Sequence, residues 1–307
     1  MNAAGRLAAY GAGLVLLFGV GLGTGRLLMP DSAPATQRHS QDSAEQDGHG
    51  HDSDHSSSTQ LESPESTSGL SLAQHGYVLG PVTAPREVGR TGELSFTIFD
   101  AEGSPVTDFT VSHEKKLHLI VVRTDGAAFQ HVHPTLDGST GTWSLPWTWR
   151  AAGTYRVFAD FVPTGETAVT PAVTVSRTVD VAGELTPAPV TSVVRTDTVD
   201  GYEVSVSGDL KARQSTQLQV EVTKDGEPVT TLEPYLGAFG HLVALRDGDL
   251  AYLHVHPEGE SPAAGTTGGP TISFVVEAPT AGRYLLYLDF QIDSTVRTAT
   301  FVLEAGK

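Results

Sequence analysis

His118-Leu-Ile-Val-Val-Arg123-Thr-Asp125-Gly126-Ala-Ala-Phe-Gln-His131-Val-His133-Pro134 returns later as His241-Leu-Val-Ala-Leu-Arg246-Asp-Gly248-Asp-Leu-Ala-Tyr-Leu-His254-Val-His256-Pro257. In both copies the first histidine precedes the second by 13 residues (131 − 118 and 254 − 241), and the second opens His-Val-His-Pro. An apolar, β-branched run, an Asp/Gly turn and a second run carrying the histidine pair predict a hairpin. With the first turn centred on Asp125-Gly126, residues whose numbers total 251 face each other. His118 then lies across from His133, with His131 diagonally adjacent. Alternate residues of a strand share a face, so three imidazoles are expected on one patch in each copy.

The repetition extends outward from the hairpins. The segment from Glu93 through Pro105 matches the one from Thr216 through Pro228 at an offset of 123, the offset of the hairpins. Ala152-Gly-Thr-Tyr155 through Asp160-Phe matches Ala281-Gly-Arg-Tyr284 through Asp289-Phe at an offset of 129. The six additional residues fall in the Pro/Gly/Thr-rich loop 258–270, where insertion costs little. Each copy holds about seven short alternating runs between turn residues, and no convincing helix. The expected fold is all-β: two tandem immunoglobulin-like or cupredoxin-like β-sandwich domains, over 71–183 and 184–307. Ala-Gly-x-Tyr entering an apolar strand has the look of the tyrosine corner of such sandwiches. Trp143 to Trp149 and Ile272-Ser-Phe-Val-Val alternate like strands packed on one face.

Composition narrows the chemistry. The chain has 307 residues, room for two domains plus tails, and 33 Gly with 18 Pro suits loop-rich β structure. A net charge of −17 disfavours nucleic acid and anionic lipid as partners and is compatible with cations. There is no cysteine, which removes disulfides, thiolate metal sites, iron–sulfur clusters and cysteine nucleophiles. The only methionines are Met1 and Met29, so a Met-rich cuprous site is excluded too.

Residues Leu7 to Gly25 are uncharged and mostly apolar, between Arg6 and Arg26. At ~1.5 Å per residue such a stretch reaches about 28 Å, enough to cross a hydrocarbon core. Residues 1–30 are therefore expected to be a signal anchor and single transmembrane helix, with the bulk of the chain extracytoplasmic. A cleaved signal peptide ending near Ala33-Pro34-Ala35, giving a secreted protein, is the alternative. Residues 31–70, rich in Ser, Asp, Glu and Gln, are expected to be a disordered acidic linker. His49, His51 and His55, interleaved with carboxylates and with His39 upstream, would make it a loose collector of divalent metal.

Asp160 and Asp289 occupy matching places in otherwise apolar strands, where a carboxylate is costly to bury unless paired. A nearby imidazole cluster provides that pairing, through a shared metal or through a hydrogen bond that orients a histidine. The candidate ligands are therefore His118, His131, His133 and Asp160 in the first domain, and His241, His254, His256 and Asp289 in the second. Imidazole nitrogens with or without an aspartate oxygen suit cupric copper or zinc. Arg123 and Arg246 also recur, expected to cap the hairpin surface or pair with a carboxylate, whereas His75 and His113 lack counterparts and read as surface residues. In the competing reading these are immunoglobulin-like interaction modules whose histidines serve packing. No nucleophile elbow, phosphate loop or H-E-x-x-H motif appears, and no enzyme is expected.

At H-L-[IV]-V…H-V-H-P and A-G-x-Y-x-x-x-x-D-F the chain resembles the YtkA-like family of exported bacterial β-sandwich domains; the second copy departs slightly, reading H-L-V-A. The likeness covers about 115 residues twice. It implies an extracytoplasmic role in copper or heavy-metal handling, with other copper-handling membrane proteins as partners. Carried over by residue, it implies the same eight side chains as candidates. The copper-resistance periplasmic carriers are a more distant comparison, and no histidine here stands at a mature N-terminus as theirs does.

Overall fold

The computed structural model describes residues 68–164, 172–253, 255–263 and 265–307. The expected helix over 1–30, the tract histidines His49, His51 and His55, and His254 lie outside them. Among the described residues no helix is long and apolar enough to cross a membrane. Residues Gln60–Lys307 form one compact unit, whose described part consists of two β-sandwiches in tandem.

The first sandwich is built from β1 (Ala73–Gln74), β2 (Tyr77–Leu79), β3 (Thr91–Phe99), β4 (Phe109–Thr110) and β5 (His118–Arg123). It continues with β6 (Gln130–Val132), β7 (Thr135–Asp137), β8 (Thr142–Thr148), β9 (Gly153–Pro163) and β10 (Val173–Val181). One sheet runs β1-β2-β3-β8-β7 and the other β10-β9-β5-β6, with β4 added to β9. The second sandwich comprises β11 (Thr196–Val199), β12 (Tyr202–Ser207), β13 (Leu210–Lys211), β14 (Ser215–Lys224), β15 (Glu227–Pro228) and β16 (His241–Arg246). After these come β17 (Tyr252–Leu253), β18 (Val255–Pro257), β19 (Thr271–Glu277), β20 (Gly282–Ile292) and β21 (Thr295–Gly306). Its sheets run β11-β12-β14-β19-β18, with β15 on β14, and β13-β21-β20-β16-β17.

Period-two alternation makes these layers. Leu94, Phe96 and Ile98 of β3, with Trp143 and Trp147 of β8, point into the first core and meet Leu119, Val121, Tyr155 and Val157 from the opposite sheet. Leu218, Val220, Phe274, Tyr284 and Leu286 do the same in the second. Both tyrosine corners form. The Tyr155 hydroxyl donates to the Ala151 carbonyl at 2.8 Å, and that of Tyr284 to the Thr280 carbonyl at 2.8 Å.

The first hairpin has the expected register: Leu119 faces Val132, Ile120 faces His131 and Val121 faces Gln130. Arg123 pairs with Asp125 through two contacts of 2.8 Å, and Arg246 with Asp249 at 3.0 Å, so both arginines brace their own turns.

β5 is buried at every position, because its two faces enter different cores. Leu119 and Val121 face their own sandwich, while Ile120 and Val122, with Phe158 of β9, pack on Val243, Leu245, Tyr252, Leu285 and Tyr287 of the second. The domains therefore pack sheet on sheet around a pseudo-two-fold axis. Phe129 stacks on Tyr287 with centroids 3.9 Å apart and planes 3° from parallel. Exchanging the domains by the sequence offsets turns this pair into Tyr252 and Phe158, which also touch, at 5.9 Å. Burying one such ring contributes roughly 1.5–3 kcal/mol. Gly126, at φ +83°, serves both the turn and the interface: a Cβ there would lie 2.5 Å from Leu285 Cδ1. Its carbonyl accepts the Tyr287 hydroxyl at 2.7 Å. The connector between domains is strapped to the same turn, since Arg123 donates to the Thr186 carbonyl at 3.2 Å and Asp125 accepts from the Ala188 amide at 2.8 Å.

Candidate metal centre

The histidines gather where the pseudo-two-fold axis passes between β5 and β16. His118 opens β5 and His131 lies on β6; His133 follows at the end of the same run. Hairpin register brings one ring nitrogen from each to within 4.8 Å of the others. His118 Nδ1 lies 3.0 Å from His131 Nε2 and 3.2 Å from His133 Nε2. Nitrogens bound to a tetrahedral ion at ~2.0–2.1 Å are about 3.3 Å apart, so this spacing suits a shared cation.

The outer nitrogens decide which atoms face inward. His118 Nε2 lies 3.1 Å from the Ser112 carbonyl, which can only accept, so the ring carries its proton there and Nδ1 is a lone pair. His131 Nδ1 donates to Asp289 Oδ2 of the second domain at 2.7 Å, both side chains being nearly inaccessible, which turns its Nε2 toward His118. Asp289 is held in turn by the Thr298 hydroxyl at 2.6 Å. A carbonyl and a carboxylate thus orient two imidazoles with their inner nitrogens toward one point.

Ser112 is placed by a tight turn in which its amide and carbonyl both bond to Lys115. His113 and Glu114 at that turn have φ of 47° and 63°, a conformation costing roughly 1–2 kcal/mol for each non-glycine residue. The turn also sets His113 beside the cluster, its ring 6.1 Å from His118 and 5.6 Å from His241. His241, the counterpart of His118, stacks on it at 5.4 Å with planes 2° apart.

Burial in an apolar seam disfavours the charged ring. It lowers the pKa of His118 from 6.5 to about 4, with His131 adding repulsion, and that of His133 from 6.5 to about 3. Burial also takes His241 well below its usual value. Lys115 adds to the depression at both His118 and His133. Burial, with Asp289 close by, pushes Tyr235 up to about 12; its ring lies 6.5 Å from that of His133.

Among the described residues the two expected cages do not form as independent copies. In the second domain Ala244 faces Leu253 and Leu245 faces Tyr252, the register of the first hairpin. The chain then leaves for the other sheet, where His256 on β18 pairs with Val275 of β19 and is exposed to solvent, so it does not close on His241. Asp289, expected to serve its own hairpin, reaches across to His131 instead. Asp160 faces His118 across the β5–β9 ladder and accepts the Thr174 hydroxyl at 2.8 Å, outside the group of three. His113 is exposed, as expected, yet it stands at the cluster. Neither it nor Tyr235 was found from sequence, because their loops carry no repeat that marks them.

Among solved structures the chain is similar to the adhesin InvE of Yersinia pseudotuberculosis, at 13% identity and a TM-score of 0.22, over 77% of this chain and 60% of that one. It is similar to invasin, a bacterial integrin-binding protein, at 13% identity and 0.22, over 75% and 39%. For the D0-D1 domain of intimin the values are 12% and 0.22, over 75% and 97%. The chain thus spans 60% of the InvE chain and 39% of the invasin chain. No curated protein matches the sequence. The model of DUF8832, a domain of unknown function, matches residues 76–180 and again residues 197–307, and the chain belongs to that family, carrying its domain twice.

Proposed function

We propose that His118, His131 and His133 hold one divalent d-block cation, cupric copper or zinc. In this reading the protein buffers or hands on that metal outside the cytoplasm, anchored by residues 1–30 and fed by the histidines of the linker. The carrying observation is geometric. His118 Nδ1 and His131 Nε2 lie 3.0 Å apart, each ring oriented by an acceptor on its far side. A cation between the two nitrogens, with His133 as third ligand, would use both. Low pKa values at His118 and His133 favour this further, because rings already neutral at pH 7 give up no proton to the metal. The acidic chain and the resemblance to YtkA-like domains support the same reading.

Titration of the full chain with copper(II) and with zinc tests it. One tight equivalent is expected above the weaker binding of the linker, and it is lost in His131→Ala. Equal tight binding by wild type and variant would overturn the reading.

Burial of the His131–Asp289 pair favours a second reading, in which one proton lies between His118 Nδ1 and His131 Nε2 and the network joins the domains. Zinc binding separates the two: a tight zinc equivalent that is lost in His131→Ala marks the metal reading, whereas a purely structural network takes up no tight equivalent in either protein.

A further inference from the structure

A cleft of about 440 Å³ opens beside the triad, with His133 in its wall. That volume falls at the lower end of small-molecule sites. Lys115 and Lys116 stand side by side in its lining, in a chain whose net charge is −17. Glu114 flanks them as the one acidic side chain of the lining. Val111 and Leu136 supply apolar wall. Trp143 lines it as well.

Lys115 lies close enough to the triad for its charge to act on His118 and His133. Beside a divalent cation that ammonium group is unfavourable unless an anion comes between. Three histidines also leave a fourth coordination position open. The cleft's cations and apolar walls fit an anion with a carbon skeleton better than a bare inorganic one.

We propose that the cleft binds a small organic dicarboxylate, one carboxylate completing the coordination of the ion and the other facing Lys115 and Lys116. The protein then carries its metal as a ternary complex with an organic acid. This rests on the metal reading above, and the test separates the two. Full-length protein is loaded with cobalt(II), whose visible absorption reports coordination, and titrated with malonate. In wild type, malonate is expected to change the cobalt spectrum saturably without removing the ion. Lys115→Gln with Lys116→Gln should weaken malonate about tenfold, the loss of charge-assisted contacts, while cobalt affinity without malonate stays the same or rises. A cobalt spectrum that depends on His131 but ignores malonate, or malonate that strips the ion or binds the lysine variant equally well, overturns the proposal and leaves the metal reading standing. A wild type with no His131-dependent cobalt spectrum overturns both.

Discussion

The hairpin at 118–133 and its copy at 241–256 share histidine spacing, turn chemistry and ladder register, yet among the described residues only the first brings three rings together. In the first, β6 stays with β5 until Val132 faces Leu119, so His133 is delivered beside His118 before the chain joins the other sheet at Thr135. In the second, pairing with β19 has already begun at Val255. The departure comes three residues before Glu258, which the offset of 123 makes the counterpart of Thr135. Among the described residues, what the second copy contributes to the site is Asp289 and His241, presented across the domain interface. A duplicated motif therefore need not give a duplicated site: where a strand changes sheets decides which side chains meet.

Breaking the interface should have the largest effect. Tyr287→Ala removes the stack on Phe129 and the hydroxyl bond to Gly126, with an expected loss of about 3–5 kcal/mol in chemical denaturation. Next comes the contrast between the copies. His131→Ala should reduce zinc affinity about a hundredfold or more, and Asp289→Asn, which leaves the ligands intact, about tenfold. His256→Ala should leave the tight site within about twofold, and a loss as large as that of His131→Ala would show that the copies are equal after all. Competition with a chromophoric chelator reads all three.

Acid should act through the same seam. The depressed His118, His133 and His241 stay neutral when folded but take up protons when unfolded, so their contribution is complete above the unfolded pKa of about 6.5. It is lost as pH falls from there toward about 4 for His118 and about 3 for His133. Each such histidine adds up to about 1.4 kcal/mol of lost stability per pH unit in that window. The metal-free protein should melt progressively lower over this range, and His118→Asn should flatten the slope. The smallest effect belongs to the corners: Tyr155→Phe and Tyr284→Phe should each cost about 1 kcal/mol. Equal costs would mark the frame as symmetric where the site is not.

Much of this was legible in the sequence. Alternation and turn residues gave two sandwiches, the Asp125-Gly126 turn gave the register, and Ala-Gly-x-Tyr gave the corners, because these are local rules that each segment obeys alone. The unbroken run from Leu119 to Val122 signalled burial on both faces, but nothing local said that the second face belongs to the other domain. For that reason Asp289 looked like a ligand of its own hairpin. His113 and Tyr235 were missed for a related cause. They reach the cluster through turns whose backbone conformation, φ 47° at His113 among them, is not written in hydrophobic periodicity.

The face-to-face packing around Phe129, Phe158, Tyr252 and Tyr287 has a consequence for a chain cut between residues 182 and 195. Each fragment would retain a tyrosine corner and a core of its own, and each would carry an unshielded aromatic seam. Nicked protein should therefore migrate as a non-covalent pair, whereas either fragment expressed by itself should self-associate.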